Sequence, residues 1–395
     1  MMKLQSLDQH IKRLAKLDGT KVPIISCYLD LGSEGADWQT TLMQREKEIL
    51  SSPWPTATKS GIVSAFNSIK RWLNSELEPS SRGSAIFARA REGDVFIPMQ
   101  FGVPLPSDIA IDSVPHLYQL VRVKDSLHEY IVLYSDSKSA RIYEVNLGKI
   151  SEHMIINRPD LRPRIGREWT KLHYSRQRRE RGRQFLKQKI DILNSLISER
   201  PDCDLILAGD STYLTRLTRE LPRKVADRLV DAVAISKPHS TERILQETLA
   251  AYVKAEEEES LDTVDRLFLT HQRGDLATIG VPESLQAVFH GQADILVLCH
   301  TSDLGKAHSC SKCGWIAYGE QNPEVCANCG NTSLIKRDVR QELTRMARST
   351  QCEIETVASS ERLAQVGGAG CLLRFRHETL GHDNYQLKKG NQYVQ

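Results

Sequence analysis

The chain has 395 residues, of which 40% are apolar and 26% are charged, and its formal net charge is +3. This composition excludes a disordered or fibrous protein, and the length predicts two to four globular domains. No run of about 18 apolar residues is present, which argues against a membrane-spanning helix. The first ten residues lack the apolar core of a signal peptide.

The nine cysteines do not form a disulfide framework. Their number is odd, four are clustered, and the other five are scattered along the chain. This usage favours a reducing compartment, so we predict a cytoplasmic protein without a membrane partner. The scattered cysteines lie in or beside apolar runs and are predicted to be core residues. They are Cys27, Cys203, Cys299, Cys352 and Cys371.

The first domain is predicted over residues 1–124. Apolar residues recur at helical spacing from Leu4 to Leu17, and Pro23 to Leu31 has the composition of a buried strand. Residues 102–116 contain three prolines and are predicted to be a connection. The remaining predicted elements are helices over 41–50 and 58–77 and strands over 84–90 and 94–99.

The second domain is predicted over residues 125–238. Two strands, over 129–134 and 140–145, are followed by a basic tract that continues into a helix over 175–199. A strand over 204–208 then leads through a glycine turn to another helix near Thr212. Strands that alternate with helices in this way predict a mixed α/β sheet.

The basic tract is the most charged part of the chain. From Arg158 to Lys189 it contains twelve lysines and arginines against three acidic residues. Such a segment repels itself unless an anion neutralises it, and Trp169, His173 and Tyr174 could stack on unpaired bases. Many charged runs are only solvated helix faces. The density of arginine and the interleaved rings favour nucleic-acid binding here.

The third domain is predicted over residues 239–376, with a polar tail over 377–395. Ser240 has the character of a helix N-cap, and the acidic run Glu256 to Glu259 is predicted to be a solvated helix surface. The further predicted elements are a Gly280 turn before a helix, strands over 293–299, 353–357 and 370–375, and a helix over 340–349. Together the three parts predict three consecutive α/β domains, a mixed α+β fold.

Four cysteines in the third domain have the spacing of a zinc ribbon. Cys310 and Cys313 form one Cys-x-x-Cys pair, Cys326 and Cys329 form another, and a glycine follows each pair. Four thiolates at about 2.3 Å from the metal make a closed tetrahedral zinc site. We therefore predict one structural zinc ion in a ribbon over 308–332. Four reduced cysteines without metal are the alternative.

Several separated segments resemble the archaeal and eukaryotic class-1 release factors and Pelota. The third domain does so through 276–280, 281–289, 293–299 and Gln365 to Phe375, and a zinc ribbon inserted at this place is common in that superfamily. The first domain does so through Leu7 to Leu14, Gly19-Thr20, Ile25 to Asp30 and 69–73. The resemblance implies three domains, of which the last binds a translational GTPase.

Two functional motifs of that superfamily are altered in this chain. The Gly-Gly-Gln positions, which enter the peptidyl-transferase centre of the ribosome, fall on Arg167, Glu168 and Trp169. Glycine serves where backbone must approach a substrate closely, so we predict that peptidyl-tRNA hydrolysis is absent and that the chain is not an enzyme. The Asn-Ile-Lys-Ser motif of stop-codon reading falls on 57–60, where only Lys59 and Ser60 match.

The resemblance therefore implies a protein that occupies the ribosomal A site without terminating translation. This description fits the bacterial branch of the superfamily, the Balon-like ribosome-hibernation factors, which silence idle ribosomes under stress. The alternative is a ribosome-rescue peptidyl-tRNA hydrolase that uses a different loop. The implied partners are ribosomal RNA at the A site and the peptidyl-transferase centre, and elongation factor Tu or a related translational GTPase.

The residues predicted to contact ribosomal RNA lie in the basic tract and at the altered Asn-Ile-Lys-Ser position. They are Arg164, Arg167, Trp169, Lys171, His173, Tyr174, Arg176, Arg178, Arg179, Arg181, Arg183 and Lys59. No catalytic residue is predicted.

Overall fold

The structure is a computed structural model that describes residues 4–17, 22–33, 37–90, 94–136, 139–157, 171–235, 240–319 and 323–375. Within these ranges the side chains of Gln5 and of residues 171–178 are not described. The described residues form a mixed α/β fold, as the sequence predicts, and this fold contains four sheets. None of the described helices is both long enough and apolar enough to cross a bilayer.

The first sheet is antiparallel, in the strand order β3-β2-β1-β4. Helices cover both faces, so β1 and β2 are buried along almost their whole length. The connection predicted over 102–116 is wrong in part, because it contains the edge strand β4, whose five residues are flanked by prolines. The elements are α1 (Leu4–Ala15), β1 (Ile24–Asp30), α2 (Trp38–Ser51), α3 (Thr56–Ser75), β2 (Gly83–Arg89), β3 (Val95–Phe101), β4 (Asp108–Asp112) and α4 (Tyr118–Ser126).

The second sheet has five strands in the order β7-β6-β5-β8-β9. Strands β5, β8 and β9 are parallel, and β6 and β7 are added antiparallel at one side. One face packs on the buried side of α5. The elements are β5 (Tyr130–Ser135), β6 (Ser139–Asn146), β7 (Lys149–Asn157), α5 (Lys171–Glu199), β8 (Asp204–Gly209), α6 (Ser211–Glu220), α7 (Arg223–Ala226) and β9 (Leu229–Ala234).

The third part contains a four-stranded sheet, in the order β10-β16-β11-β15, and a small three-stranded sheet, in the order β13-β12-β14. Strands β11 and β15 are parallel neighbours, and all other pairs are antiparallel. The elements are α8 (Thr241–Gln272), β10 (Ala277–Ile279), α9 (Val281–Phe289), β11 (Ala293–Cys299), β12 (Lys306–Cys310), β13 (Ile316–Tyr318), β14 (Leu334–Asp338), α10 (Val339–Ser349), β15 (Glu353–Val357), α11 (Glu361–Ala364) and β16 (Ala369–Leu373).

Helix α8 is shared by two sheets. Ser240 caps it as predicted, since its Oγ accepts a hydrogen bond from the backbone N–H of Arg243 at 3.3 Å. The first half of α8 buries Ile244 and Tyr252 against the second sheet. The second half buries Val264 and Leu267 against the sheet that contains β11. Because 32 residues form one continuous helix, α8 links the two sheets.

Helices α1 and α4 pack against the third part. Leu7 and Ile11 of α1 share a buried cluster with Leu343 and Met346 of α10. At the edge of this cluster Asp8 forms ion pairs with Lys12, Lys124 and Arg348. Each of the sheets draws its strands from one predicted domain, although the division at 124 and 238 stays a prediction.

Candidate metal centre and nucleic-acid interface

The small sheet brings the four predicted cysteines together. Cys310 ends β12, Cys313 lies in the turn that follows, and Cys326 and Cys329 lie in the turns that precede β14. The Sγ atoms of Cys310 and Cys329 are 3.6 Å apart, as are those of Cys313 and Cys326. All four Sγ atoms lie within 4.8 Å of one another.

This spacing fits a tetrahedral metal ion. Zn–S bonds of about 2.3 Å place neighbouring sulfurs of a tetrahedron about 3.8 Å apart. Gly314 and Gly330, which follow the two pairs, have φ of 73° and 69°, a left-handed conformation that glycine adopts without strain. The sharp turns at these two glycines allow both pairs to face one point, so the four cysteines could hold one metal ion.

The surroundings of Cys310 favour its metal-binding form. Its Sγ accepts hydrogen bonds from the backbone N–H of Lys312 at 3.4 Å and from Nδ2 of Asn331 at 3.5 Å. Desolvation raises the pKa of the Cys310 thiol, but hydrogen bonds from Asn331 and backbone N–H groups outweigh it and lower the pKa to about 6. The thiolate is the form that ligates metals.

Helix α5 carries part of the basic tract together with buried residues that contact the core. Phe185, Leu186 and Leu193 are buried against the second sheet. Arg179, Arg183 and Lys187 are exposed, and their spacing of four residues places them on one face of the helix. The second half of the tract therefore combines an anchored face with an exposed cationic face.

The other predicted RNA contacts are only partly described. Arg181 is half-buried, and Lys59 is exposed in the first turns of α3, on a different helix. The side chains of Lys171, His173, Tyr174, Arg176 and Arg178 lie outside the described residues, although the backbone there is helical. Arg164, Arg167 and Trp169, with the altered Gly-Gly-Gln positions, also lie outside the described residues.

Lys189, the last residue of the tract, does not belong to the exposed face. Its side chain is fully buried, with Nζ 2.5 Å from Oγ of Ser135 and 3.2 Å from the carbonyl oxygen of Asp136. The same Nζ lies 3.9 Å from the centroid of the Phe185 ring. Hydrogen bonds and ring contacts of this kind stabilise a buried ammonium group. Lys189 is therefore part of the core and not of the exposed cationic face.

A second group of metal-ligating side chains was missed by sequence reasoning. His128, Asp204 and Glu256 place one ligand atom each within 4.8 Å of the others. His128 Nδ1 lies 3.7 Å from Glu256 Oε1, and the hydroxyl of Tyr252 donates to Asp204 Oδ2 at 2.9 Å. The prediction of a solvated acidic run is therefore wrong for Glu256, which is half-buried, whereas residues 257–259 are exposed.

The electrostatics of this group follow from burial and close charges. The hydrogen bond that His128 donates to the carboxylate of Glu256 raises the pKa of His128 despite desolvation. Burial raises the pKa of Asp204, and the hydrogen bond from Tyr252 offsets only part of this effect. The three residues come from a loop, a strand start and the middle of α8, more than 40 residues apart in every pair. No local spacing rule could have joined them.

The chain is similar to known translation factors. Residues 115–252 match the family model described as bacterial archaeo-eukaryotic release factor family 10. A comparison with curated proteins found no match.

Three solved structures are similar to this chain at low sequence identity. The archaeal translation termination factor aRF1 is 14% identical, with 95% of this chain and 99% of that chain covered and a TM-score of 0.28. Pelota of Archaeoglobus fulgidus is 17% identical, with coverages of 74% and 79% and a TM-score of 0.36. Dom34 of S. cerevisiae, a translation termination-like factor, is 13% identical, with coverages of 75% and 81% and a TM-score of 0.38.

The matched segment runs from the end of the first sheet, through the whole second sheet and α5, into the first half of α8. It contains the basic tract and the positions where the sequence resemblance places the altered Gly-Gly-Gln motif. The match over residues 115–252 agrees with the resemblance recognised from the sequence: this part of the chain is similar to the bacterial branch of the archaeo-eukaryotic release factors.

Proposed function

We propose that this chain is a non-catalytic ribosome-binding factor that occupies the A site of idle or stalled ribosomes and silences their translation. The observation that carries the proposal is the cationic face of α5, where Arg179, Arg183 and Lys187 project away from the core. An exposed arginine-rich helix face suits the phosphates of ribosomal RNA. The segment that carries it lies within the family match.

The altered Gly-Gly-Gln positions supply the second half of the proposal. Arg167, Glu168 and Trp169 replace residues that need close backbone approach, so the factor binds without hydrolysing peptidyl-tRNA. We expect no release of a model peptidyl-tRNA ester on ribosomes above the ribosome-only background. Release well above that background would favour the ribosome-rescue hydrolase instead.

The remaining parts of the proposal concern the metal and the GTPase. A set of four thiolates leaves no open position for water, so the ribbon holds one structural zinc ion and no catalytic one.

The third part, over 239–376, binds elongation factor Tu or a related translational GTPase. An isolated fragment could fail to fold because α1 packs against α10, so the full chain is used in a pull-down with this factor, on and off the ribosome. The absence of binding in both cases would remove this partner.

Charge reversal on α5 tests the ribosome contact. The variant Arg179→Glu/Arg183→Glu/Lys187→Glu should weaken ribosome binding at least about 100-fold, taking roughly 1 kcal/mol or more for each charged contact. It should also reduce the dependence of affinity on salt, because fewer counterions are released. Sedimentation of the tagged protein with purified ribosomes over a series of salt concentrations measures both effects.

A matched control is available on two helices, α6 and α7, that pack on the same sheet as α5. Arg216, Arg219 and Arg223 are exposed on α6 and α7, and their reversal to glutamate changes the net charge by the same amount. We expect this control to bind ribosomes within a few-fold of wild type. Equal affinity of the wild type and of a correctly folded α5 variant would remove α5 from the binding surface.

A further inference from the structure

A cavity lies where the first sheet, α4, α8 and the third part meet. Its volume is about 210 Å³. It opens beside the carboxyl ends of the parallel strands β11 and β15, next to His300 and Val357. Ligands of open α/β sheets bind outside the carboxyl ends of parallel strands. The apolar part of the wall comes from Val103, Pro104, Leu105, Leu249, Val253 and Val357.

Two acidic groups of the lining already have partners. Asp125 Oδ2 accepts hydrogen bonds from the backbone N–H and from Oγ1 of Thr356, both at 2.6 Å. Glu256 lies beside His128 at 3.7 Å. A third carboxylate of the lining, Glu257, is exposed to solvent. These carboxylates are therefore either engaged or hydrated.

Arg122 is the cationic group of the lining, and it lacks a carboxylate partner. Among the described residues, its guanidinium is hydrogen-bonded only to His300, with Nη1 2.9 Å from Nε2. Because Nη1 donates to Nε2, the imidazole carries its proton on Nδ1. Burial, with the charges of Arg122 and Arg340, lowers the pKa of His300 and keeps the ring neutral.

Several buried polar atoms of His300 and of the residues near it lack hydrogen bonds. Nδ1 of His300, Oη of Tyr118, Nε of Arg340 and Oγ of Ser302 are buried and have no hydrogen-bond partner in the described part of the chain. The Tyr118 side chain is only 3% exposed. Its ring stacks on His300 at 6.0 Å, and the guanidinium of Arg340 lies 4.9 Å from its centroid.

Arg122 and His300 line one end of the cavity, where Tyr118 packs on His300 and Arg340 packs on Tyr118. Among the described residues, no acid lies within ion-pair distance of Arg122 or Arg340; Arg340 donates to the carbonyl oxygens of Cys299 and Ser302. Buried donors without acceptors are costly. An anionic acceptor at this end would reduce that cost.

We propose that this cavity binds a small organic anion, with a carboxylate or phosphate head held by Arg122 and a compact apolar body packed on Val103, Leu249 and Val253. The volume of the cavity limits the size of the apolar part of the ligand. A cavity of about 150 Å³ accommodates benzene, so about 210 Å³ accommodates an aromatic ring or branched chain with its head group, and excludes a nucleotide. A ligand here touches three parts of the fold and stabilises their packing against each other.

Thermal unfolding of the full-length, zinc-loaded protein tests the proposal with four probes: benzoate, phenyl phosphate, neutral benzamide and inorganic phosphate. We expect benzoate or phenyl phosphate at saturation to raise the melting temperature by at least about 2 °C. Benzamide, which has the ring but no charge, and inorganic phosphate, which has the charge but no ring, should have smaller effects. If neither organic anion raises the melting temperature more than benzamide, the proposal is overturned.

Variants assign the effect to the cavity. Arg122→Gln should weaken the anion at least about tenfold by calorimetry, since hydrogen bonds to charged groups contribute about 1.5–3 kcal/mol. Val253→Phe, which fills the cavity and keeps the charge, should abolish binding, whereas Arg13→Gln on the exposed side of α1 should have no effect. Retained affinity in both cavity variants, or an equal loss in the control, would place the anion elsewhere.

Discussion

We predict that Asp125 makes the stability of this protein fall as the pH rises. It is half-buried near the end of α4, where it accepts both hydrogen bonds from Thr356 on β15. Burial, together with the charge of Glu355, raises the pKa of Asp125 from 3.8 to about 7. The carboxyl group therefore holds its proton more firmly in the folded state than in the unfolded state.

The sign and size of the effect follow from linkage. The contribution of Asp125 to the free energy of unfolding is most favourable below the pKa of the unfolded state, near pH 4. It is lost as the pH rises through the folded-state pKa of about 7. The pKa of Asp125 rises by about three units, and each unit corresponds to about 1.4 kcal/mol. The upper limit of the stability lost at pH 8.5 is therefore about 4 kcal/mol. Solvent screening around a half-buried side chain reduces this figure, and we expect about 2 kcal/mol.

Asp125→Asn removes the charge and keeps an oxygen that can accept from Thr356. We expect the variant to be more stable than wild type by less than about 1 kcal/mol at pH 5 and by about 2 kcal/mol at pH 8.5. The difference is measured from urea unfolding between pH 5 and 8.5, monitored by tryptophan fluorescence. Some pH dependence should remain, because the raised pKa values of His128 and Glu355 act in the same direction.

The control is Asp262→Asn, which removes a carboxylate from the exposed side of α8. It should shift stability by no more than about 0.5 kcal/mol across this pH range. If the wild type and Asp125→Asn lose stability in parallel as the pH rises, Asp125 does not carry the effect. A variant that is less stable than wild type at pH 8.5 would show that its ionised form is stabilising.

Three further predictions concern the metal, the core and the contact between α1 and α10. Cys313→Ser should lose the zinc ion, which elemental analysis of freshly purified protein measures against one zinc per wild-type chain; zinc-free wild type would contradict the assignment. Leu343→Ala removes a fully buried side chain and should cost about 2–5 kcal/mol in chemical denaturation, whereas a cost below about 1 kcal/mol would show that the α1–α10 cluster is loosely packed. Hydrogen bonds from Lys12 and Lys124 outweigh burial and keep the pKa of Asp8 well below its usual range, so Asp8→Asn should destabilise the protein at pH 7 by about 1–3 kcal/mol, with the difference shrinking as the pH falls below about 4. An equal loss at pH 7 and at pH 2 would exclude the ion pairs as the cause.

The spacing of residues along the sequence correctly predicted the features that form within short stretches of the chain. The four cysteines lie within 20 residues of one another, so two turns suffice to bring them together, and the structure does so. The N-cap at Ser240 is equally local, as one hydroxyl accepts from a backbone N–H three residues later. Buried strands such as β1, β8 and β11 were predicted because both faces are covered and their apolar runs are continuous.

Sequence patterns could not predict contacts between distant elements. The packing of α8 on the start of β8 brings together His128, Asp204 and Glu256. The periodicity of apolar residues in the sequence does not predict this contact. Strand β7 was missed because most of its residues are exposed at a sheet edge, which leaves it without an apolar pattern. Lys189 was counted with the basic tract because charge alone does not show that a side chain is buried.

The two faces of α5 explain why a charged surface and a core can share one helix. From Phe185 onwards the helix is anchored on the second sheet through a buried stripe. The cationic side chains at Arg179, Arg183 and Lys187 add little to that core, because they are exposed. Their reversal should therefore leave the fold intact, and a loss of ribosome binding in the α5 variant would report the surface itself. A rigidly held cationic face also loses less conformational entropy on binding than a flexible basic segment, which favours α5 as the proposed contact with ribosomal RNA.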